Sequence, residues 1–407
     1  LADLNLQDQR KVMTKKIFDV GIIGGGIIGC ALAYYLSKAG ASVAVFEKKH
    51  ICSGASCVNQ GGLAIQVFDL KTIPLGLISS ELYRGLSDEL DFDIEYQQNG
   101  SLLVTREEYQ VPLLRKRYDE LKQLGLNVEF WGVNKLNEFP GGVTRPFHAV
   151  LESHVDGQVN PFRATYALAL AAEKMGAKII ADAKIREIKQ VKSRIHSAVS
   201  EKGDEFICGH LVCAAGPWSE QIGKLVGLDI PVEPQRGQLI VTEQVRNSEY
   251  PYILDGDYLT TAYGINAGGK DISARKRLAL GIGGSYAQEA TGNWTIGSSR
   301  DMTGFTRDVS PEVLREMTRR VLEFFPEMET LNCIRFFAGF RPYCVKDGHP
   351  ILGRVLDLPG FHVATGHAGE GIAMAPVTGK LIAEEITTGK DSPLLEHFRY
   401  ERFDAQS

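Results

Sequence analysis

An α/β fold is predicted by three features of the 407-residue sequence. Residues 17–47 have the pattern of a strand, a glycine loop, a helix and a second strand. Residues 75–149 have the pattern of charged amphipathic helices with short strands, and residues 231–300 that of short strands separated by Gly, Asn and Asp. The first pattern is typical of a parallel sheet covered by helices, and the last of an antiparallel sheet. The chain is therefore predicted to be α/β in its first part and α+β overall.

The composition is that of a globular protein, with 44% hydrophobic and 23% charged residues. Its length favours two domains. The net charge of -5 comes from interspersed charges, which excludes electrostatic recruitment of nucleic acid. Seven cysteines without a disulfide or zinc spacing indicate a reduced, cytoplasmic protein without a metal site.

Two segments bear on membranes and targeting. Residues 20–36 carry no charge, but five glycines interrupt them, so they are interpreted as part of a strand–helix unit rather than as a membrane span. Residues 1–16 are polar and charged and lack an apolar core, which predicts a disordered or peripheral leader rather than a signal peptide. At most peripheral membrane association is expected.

The first βαβ unit is predicted from its apolar pattern. Residues 17–23 have the length and β-branching of a strand buried on both faces. Helical spacing extends from Ile27 to Ala39 and ends at Gly40, a residue that commonly terminates helices. Residues 42–46 form a second buried strand, which ends at Glu47. This succession predicts a Rossmann-like domain.

The glycine loop between the first strand and helix has the GxGxxG spacing of a dinucleotide-binding turn. Gly24 permits the tight turn, Gly26 lets the backbone approach a pyrophosphate, and Gly29 lets helix and strand pack closely. Glu47, about 20 residues further on, can accept hydrogen bonds from a ribose. The motif serves both FAD and NAD, whereas the carboxylate of Glu47 disfavours the 2′-phosphate of NADP.

Further elements follow the same local rules. Asn160 and Pro161 predict a helix start at 161, because Asn is a preferred N-cap and Pro is favoured in the first turn. The other elements are predicted from apolar periodicity. The predicted strands are 101–105, 178–181, 195–199, 206–215 and 361–364, and the predicted helices are 106–124, 161–174, 311–325 and 373–387.

Three segments rich in small residues indicate close backbone approach to a flat ligand. The first runs from Gly54 to Leu63, the second from Val212 to Ser219 and ends a strand, and the third runs from Gly366 to Ala373 and opens the last helix.

With these segments the sequence resembles the D-amino acid oxidase superfamily, specifically the branch with glycine oxidase, sarcosine oxidase and proline dehydrogenase. The resemblance extends from Asp19 to about Phe403. Its marks are the glycine motif with Glu47, Ala-Ala-Gly-Pro-Trp-Ser at 214–219, Gly-Phe-Arg-Pro at 339–342, Asp-Gly-His-Pro-Ile-Leu-Gly at 347–353 and Gly366-His367. The segment 288–300 resembles the subgroup with hydrogen cyanide synthase and opine oxidase flavin subunits.

The resemblance implies FAD bound in an extended form to a domain of the glutathione-reductase type, with a substrate domain on an antiparallel sheet. The N-terminus of the last helix would stabilise negative charge on the reduced flavin. The cofactor-binding residues are expected to be Gly24, Gly26, Ile27, Ile28, Glu47, Lys48, Ala55, Ser56, Gln60, Gly61, Gly62, Leu63, Ile185, Ala214, Ala215, Gly216, Trp218, Gly339, Gly366, His367, Gly369, Glu370, Gly371, Ile372 and Ala373.

The FAD is expected to be non-covalent, because the flavin-linking cysteine of monomeric sarcosine oxidase has no counterpart and Cys344 lies too close to Asp347. The segment 53–66 also lacks the basic residues that this enzyme uses. The expected FAD domain comprises 17–90, 150–222 and 330–407, and the expected substrate domain comprises 91–149 and 223–329.

Arg341 is the predicted catalytic residue. In glycine oxidase-like proteins the arginine of Gly-x-Arg-Pro binds the substrate carboxylate, a role suited to a planar, bidentate cation. The alternatives are an arginine in a structural ion pair and one that only lines the isoalloxazine ring. Tyr252, Tyr258 and Tyr263 are predicted to cluster in the substrate sheet, as carboxylate ligands or as ordinary packing residues.

The predicted function is FAD-dependent oxidation of a small amino or imino acid, such as glycine, sarcosine, a D-amino acid or proline, at the α-carbon. The electron acceptor would be oxygen, a quinone or a partner subunit, in a homo- or hetero-oligomer. Two alternatives stay open: a dehydrogenase for 2-hydroxy acids or glycerol phosphate, and a non-catalytic flavin subunit of a larger complex.

Overall fold

The computed structural model describes residues 16–132, 147–246, 250–264 and 272–406. Most of the predicted leader lies outside the described residues, but its last residue, Lys16, already belongs to the first strand. Within the described ranges the chain forms eighteen strands and ten α-helices.

The strands are β1 Lys16–Ile23, β2 Val43–Phe46, β3 Gly62–Leu63, β4 Ser101–Thr105, β5 Val128–Trp131, β6 Ala149–Ser153, β7 Gly157–Gln158, β8 Lys178–Ile180, β9 Ile185–Val191, β10 Arg194–Ser200, β11 Glu205–Cys213, β12 Val232–Gln244, β13 Tyr252–Asp255, β14 Ser285–Gln288, β15 Asn293–Gly297, β16 Cys333–Cys344, β17 Ile351–Arg354 and β18 Phe361–Thr365. The helices are α1 Ile27–Lys38, α2 Ile73–Arg84, α3 Leu86–Leu90, α4 Val111–Gln123, α5 Pro161–Lys174, α6 Ser219–Lys224, α7 Asp257–Tyr263, α8 Ile272–Ala279, α9 Pro311–Phe324 and α10 Gly371–Thr388.

The first sheet has the order β17-β18-β11-β1-β2-β8, and β11, β1, β2, β8 and β18 pair in parallel. The strands β9 and β10 form an antiparallel meander with β11 beside this parallel core. This arrangement agrees with the predicted Rossmann-like domain of the glutathione-reductase type. Parallel strands buried on both faces explain the continuous apolar runs in the sequence.

Helices α5 and α10 both pack on α1. Close contact between α1 and α10 depends on Gly379, because a Cβ there would lie 2.7 Å from the backbone carbon of Ala31. The predicted N-cap of α5 is confirmed, since Asn160 Oδ1 accepts hydrogen bonds from the N–H groups of Phe162 and Arg163 at 3.1 and 3.2 Å. This packing fixes the N-terminus of α1 at the carboxyl ends of the parallel strands.

The second sheet has the order β16-β12-β15-β14-β13-β4-β6-β5. Its pairs are antiparallel except for β13 and β4, which run parallel, so the sheet is not antiparallel throughout. Helix α9 packs on this sheet through Val313, Met317, Val321 and Phe324. Two short helices, α7 and α8, interrupt the predicted run of strands in 231–300.

The domain bounds stay a prediction. Strands β6 and β16 hydrogen-bond within the second sheet, although both lie largely in ranges expected for the FAD domain. Within the described residues, no helix combines the length and apolarity needed to span a membrane.

Candidate functional site

A central cavity of about 430 Å³ lies among residues that follow the first-sheet strands and residues of β12 and β16. All of the predicted cofactor residues line it except Leu63, Gly366, Glu370 and Ala373. Leu63 and Ala373 are instead buried in the apolar core, and a Cβ at Gly366 would face Pro350 at 3.3 Å. Local sequence rules locate a loop, but they do not determine which of its residues face inwards.

Two glycines of the turn at one end of the cavity, Gly24 and Gly29, have no room for a side chain. Gly24 has a φ of +118°, and a Cβ there would lie 2.4 Å from the carbonyl oxygen of Ala214. A Cβ at Gly29 would lie 1.9 Å from the carbonyl oxygen of Gly24. The N–H of Ile27, in the first turn of α1, donates to Ser56 Oγ at 2.9 Å. The turn lines the cavity with backbone, and its binding of a pyrophosphate stays a prediction.

Glu47 is buried beside this turn. Its carboxylate accepts hydrogen bonds from the N–H groups of Gly25 at 2.7 Å and Lys49 at 2.8 Å. A carboxylate has about four acceptor positions, so two backbone amides can orient it and leave capacity for ribose hydroxyls.

An aromatic stack borders the cavity near Glu47. Trp218 stacks on Phe305 with ring centroids 5.2 Å apart, and Lys48 Nζ lies 2.9 Å from the Trp218 ring centroid. Burial lowers the pKa of Lys48 to about 8. Through Phe305 the segment between β15 and α9 contacts the cavity wall. No local sequence pattern indicates this contact.

Gln60 connects the 54–63 loop to the second sheet. Its Nε2 donates to the carbonyl oxygens of Ser285 at 3.0 Å and Thr295 at 2.6 Å. Its Oε1 accepts from Tyr252 Oη at 3.0 Å and Ser285 Oγ at 2.7 Å. Gln60 lines the cavity as predicted, but its side-chain amide is engaged by protein groups.

At the other end of the cavity, the loop before α10 contains His367. Its Nε2 lies 3.1 Å from Thr378 Oγ1, and burial lowers the pKa of this imidazole to about 3. His367 is therefore neutral at physiological pH. Glu370, at the N-cap of α10, forms no side-chain cap, so the positive end of the helix dipole faces the region of Gly369 and Gly371.

The neutral His367 predicts a pH dependence of stability. Its folded pKa lies below the ordinary 6.5, so between about pH 6.5 and 3 the unfolded chain binds a proton that the folded chain does not. His367 alone should therefore lower the free energy of unfolding by about 1.4 kcal/mol for each pH unit as the pH falls through this window, and His362, whose pKa burial also lowers to about 3, adds a similar slope. Denaturant unfolding at several pH values between 7 and 4 measures this change in the free energy of unfolding. His367→Asn should remove the His367 share of this slope, whereas His196→Asn, at an exposed position, should not; parallel profiles for His367→Asn and wild type would contradict the assignment.

Arg341 lies on β16 and lines the cavity. Its guanidinium packs on the backbone of Gly237, where a Cβ would lie 2.4 Å from Nη1, and Nη1 donates to the carbonyl oxygen of Ser299 at 2.9 Å. Burial and the nearby Arg300 lower the pKa of Arg341 to about 10. No carboxylate in the described part of the chain forms an ion pair with Arg341, which counts against a purely structural role.

Two of the three predicted tyrosines contribute to the same end of the cavity. The Tyr252 ring, on β13, packs on Gly62, where a Cβ would lie 2.7 Å from it. Tyr258 lies on helix α7 and not on a strand, and its Oη is 3.6 Å from a Cβ position at Gly369. The side chain of Tyr263 lies outside the described residues.

Arg300 is the last residue of the segment 288–300, but the sequence interpretation assigned it no role of its own. It lies just beyond the end of β15, with its guanidinium carbon 4.4 Å from the Tyr258 ring centroid and Nη1 donating to Thr261 Oγ1 at 3.0 Å. No local pattern marks it, because its significance comes from contacts with α7.

Comparisons with known proteins identify the family of the chain. The family model described as FAD dependent oxidoreductase (DAO) matches residues 19–385. Glycine oxidase of Geobacillus kaustophilus is 28% identical over 378 residues, which cover 91% of this chain and 93% of that protein. Hydrogen cyanide synthase subunit HcnC of Pseudomonas aeruginosa is 26% identical over 415 residues, which cover 90% of this chain and 92% of that protein.

Solved structures share the fold over nearly the whole chain. L-proline dehydrogenase from P. horikoshii has a TM-score of 0.85 at 24% identity, covering 97% of this chain and 99% of that chain. Glycine oxidase from Geobacillus kaustophilus has a TM-score of 0.83 at 26% identity, and the match covers 95% of this chain and 98% of that chain. The predicted fold class and the resemblance are confirmed. Because the family model spans most of its length, the chain belongs to the DAO family of FAD-dependent oxidoreductases, enzymes that use FAD as cofactor.

Proposed function

We propose that the protein oxidises a small amino or imino acid at its α-carbon, with Arg341 binding the substrate carboxylate. The observation that carries the proposal is the Arg341 guanidinium, which lines the central cavity without an acidic partner among the described residues. A confined cation without a counter-ion is costly, so an anionic ligand would be stabilised there. A carboxylate matches the fork of arginine in shape and charge.

The cavity also fits FAD. The glycine turn and the first amides of α1 would hold the pyrophosphate, Glu47 would accept from the ribose, and Lys48 and Trp218 border this end. The N-terminus of α10 would lie near the flavin ring, where its dipole favours negative charge. Bound FAD supplies the two-electron acceptor for the oxidation.

The protein groups at the substrate end would act by orientation. Arg341 would fix the carboxylate and Tyr258 would confine the ligand opposite Gly369, so that one C–H bond is held for reaction. His367 is neutral and its Nε2 lies beside Thr378, so it does not serve as a general acid. We therefore assign most of the rate enhancement to binding geometry.

The related proteins support an amine donor. Glycine oxidase, 28% identical, carries the substrate in its name, and the proline dehydrogenase and iminodiacetate oxidase structures share the fold. Some relatives are named as subunits, namely HcnC and one of the subunits of the opine oxidase of Rhizobium meliloti. We accordingly propose glycine, sarcosine, D-amino acids, prolines or related secondary amines as substrates of a cytoplasmic enzyme, with oxygen, a quinone or a partner subunit as electron acceptor.

Anaerobic bleaching of the flavin tests the proposal. The purified yellow protein is mixed without oxygen with glycine, sarcosine, iminodiacetate, D-alanine, D-aspartate and both prolines, and separately with lactate, glycolate and glycerol 3-phosphate. Loss of flavin absorbance with at least one amine, and none with the hydroxy compounds, is expected. Bleaching by hydroxy compounds alone would replace the proposal with a hydroxy acid or glycerol phosphate dehydrogenase. Bleaching by dithionite and by no substrate would identify a non-catalytic flavin subunit.

A further inference from the structure

A second guanidinium, that of Arg300, lies near Arg341 and contacts a residue of the cavity wall, although Arg300 itself is not among the lining residues. Arg341 Nη1 donates to the carbonyl oxygen of Ser299, the residue directly before Arg300, so the two arginines are joined through one backbone segment. The Arg300 guanidinium lies over the ring of Tyr258, a residue that lines the cavity. The positive charge of Arg300 is near enough to oppose that of Arg341 and contributes to lowering the pKa of Arg341.

The neighbouring acidic groups do not neutralise this pair of arginines. Asp301 adjoins Arg300 in sequence, but its carboxylate is held by Arg236, whose Nε and Nη2 donate to it at 2.9 Å. Asp257 adjoins Tyr258 and is held by Arg277 Nε at 2.9 Å. In the described ranges neither Arg300 nor Arg341 has an ion-pair partner.

The Arg300 side chain is oriented by its surroundings. Its Nη1 donates to Thr261 Oγ1 at 3.0 Å, and its plane rests on Tyr258 one helical turn earlier on α7. Nε and Nη2 form no hydrogen bond within the described part of the chain. A guanidinium fixed through one nitrogen, with the N–H groups of Nε and Nη2 left to donate, is suited to binding a carboxylate.

We propose that Arg300 binds a second carboxylate of the substrate, and that the substrate is therefore a small dicarboxylic amine. The inference rests on the proposed function and narrows it. One carboxylate would lie on Arg341 and the other on Arg300, beside Tyr258. Two like charges in a confined site repel each other, and a dianionic ligand offsets both, whereas a monocarboxylate offsets one. The second carboxylate is carried either on the amine nitrogen or on the side chain.

Substrate preference tests this assignment. The ratio of kcat/KM for iminodiacetate, D-aspartate and D-glutamate to that for glycine, sarcosine and D-alanine is measured in wild type, Arg300→Gln, Arg300→Lys and Arg335→Gln. The wild-type ratio for at least one dicarboxylate should exceed about ten, and Arg300→Gln should lower it roughly ten- to hundredfold, as expected for a charge-assisted hydrogen bond. Arg300→Lys should restore part of it. Arg335→Gln is the matched control, because Arg335 is exposed and its guanidinium lies over Phe337. Iminodiacetate and the acidic amino acids separate the two positions of the second carboxylate.

A binding measurement tests the role of Arg300 independently of catalysis. Titration of the oxidised holoenzyme with malonate, succinate and acetate, followed by the shift of the flavin spectrum, should show tighter binding of a dicarboxylate in wild type and loss of that advantage in Arg300→Gln. An equal loss of affinity for monocarboxylic and dicarboxylic ligands in Arg300→Gln would overturn the assignment. It would indicate that Arg300 acts only by positioning Tyr258. A wild type that oxidises amines without dicarboxylate preference would overturn the inference while leaving the proposed function intact. Oxidation of no amine would reject both.

Discussion

Replacing Arg341 with alanine is expected to lower kcat/KM for the amine substrate by about 100- to 1000-fold, equivalent to about 3 to 4 kcal/mol of lost binding in the transition state. The guanidinium lines the cavity and has no acidic partner among the described residues, so a substrate carboxylate would be its main counter-ion. Most of the loss should appear in KM, because the carboxylate is bound in both the ground and transition states. Steady-state kinetics over a wide substrate range measures the two constants.

Arg335→Ala is the control for this change. It removes an arginine from the same strand, β16, at an exposed position outside the cavity lining. Both variants should retain FAD at the wild-type ratio of flavin to protein. Arg341→Lys should recover only part of the lost activity, since an ammonium cannot form the bidentate pair. Unchanged kinetics in Arg341→Ala would show that the carboxylate binds elsewhere.

Much of the fold was predictable because its signals are local. The apolar run of β1, the glycine spacing and the end of β2 at Glu47 specify a βαβ unit within residues 16–47, and the structure has these elements within one or two residues. Asn160 and Pro161 likewise define the start of α5, since capping satisfies amides in the first turn. Arg341 was predicted from the Gly-x-Arg-Pro motif and not from apolar periodicity.

The rest depends on contacts between distant parts of the chain. Helix α7, which carries Tyr258, is held by Asp257, whose carboxylate binds Arg277, 20 residues away, and Gln110, 147 residues away. Gln60 Nε2 donates a hydrogen bond to the carbonyl oxygen of Ser285, 225 residues away. A loop residue expected at the cofactor is therefore also hydrogen-bonded to the second sheet. The parallel pairing of β4 with β13 is a register between segments about 150 residues apart, and neither strand encodes it alone. Arg300 acquires its position through Thr261 in the same way.

Gly24→Ala is expected to weaken FAD binding by at least about 100-fold, which corresponds to roughly 3 kcal/mol. Two effects combine at this position. The φ of +118° is strained for any residue with a Cβ, and the added atom would lie 2.4 Å from the carbonyl oxygen of Ala214. The turn must open to accommodate it, which moves the first amides of α1 away from the pyrophosphate and separates Glu47 from Gly25, to which it is hydrogen-bonded at 2.7 Å.

Gly40→Ala is a control that introduces backbone strain without a steric clash. Gly40 has a φ of +86°, but no heavy atom lies within 4 Å of the Cβ position, so the variant should lose roughly 1 kcal/mol of stability and retain FAD. Removal of FAD and reconstitution by titration, followed by flavin fluorescence, gives the dissociation constant for each variant, and circular dichroism reports whether the chain is folded. Should Gly24→Ala not fold, Gly26→Ala serves instead, because its backbone conformation suits alanine and its Cβ would meet Ser56 Oγ at 3.3 Å beside the cavity. Wild-type affinity in a folded Gly24→Ala variant would contradict the prediction that FAD binding depends on the geometry of this turn.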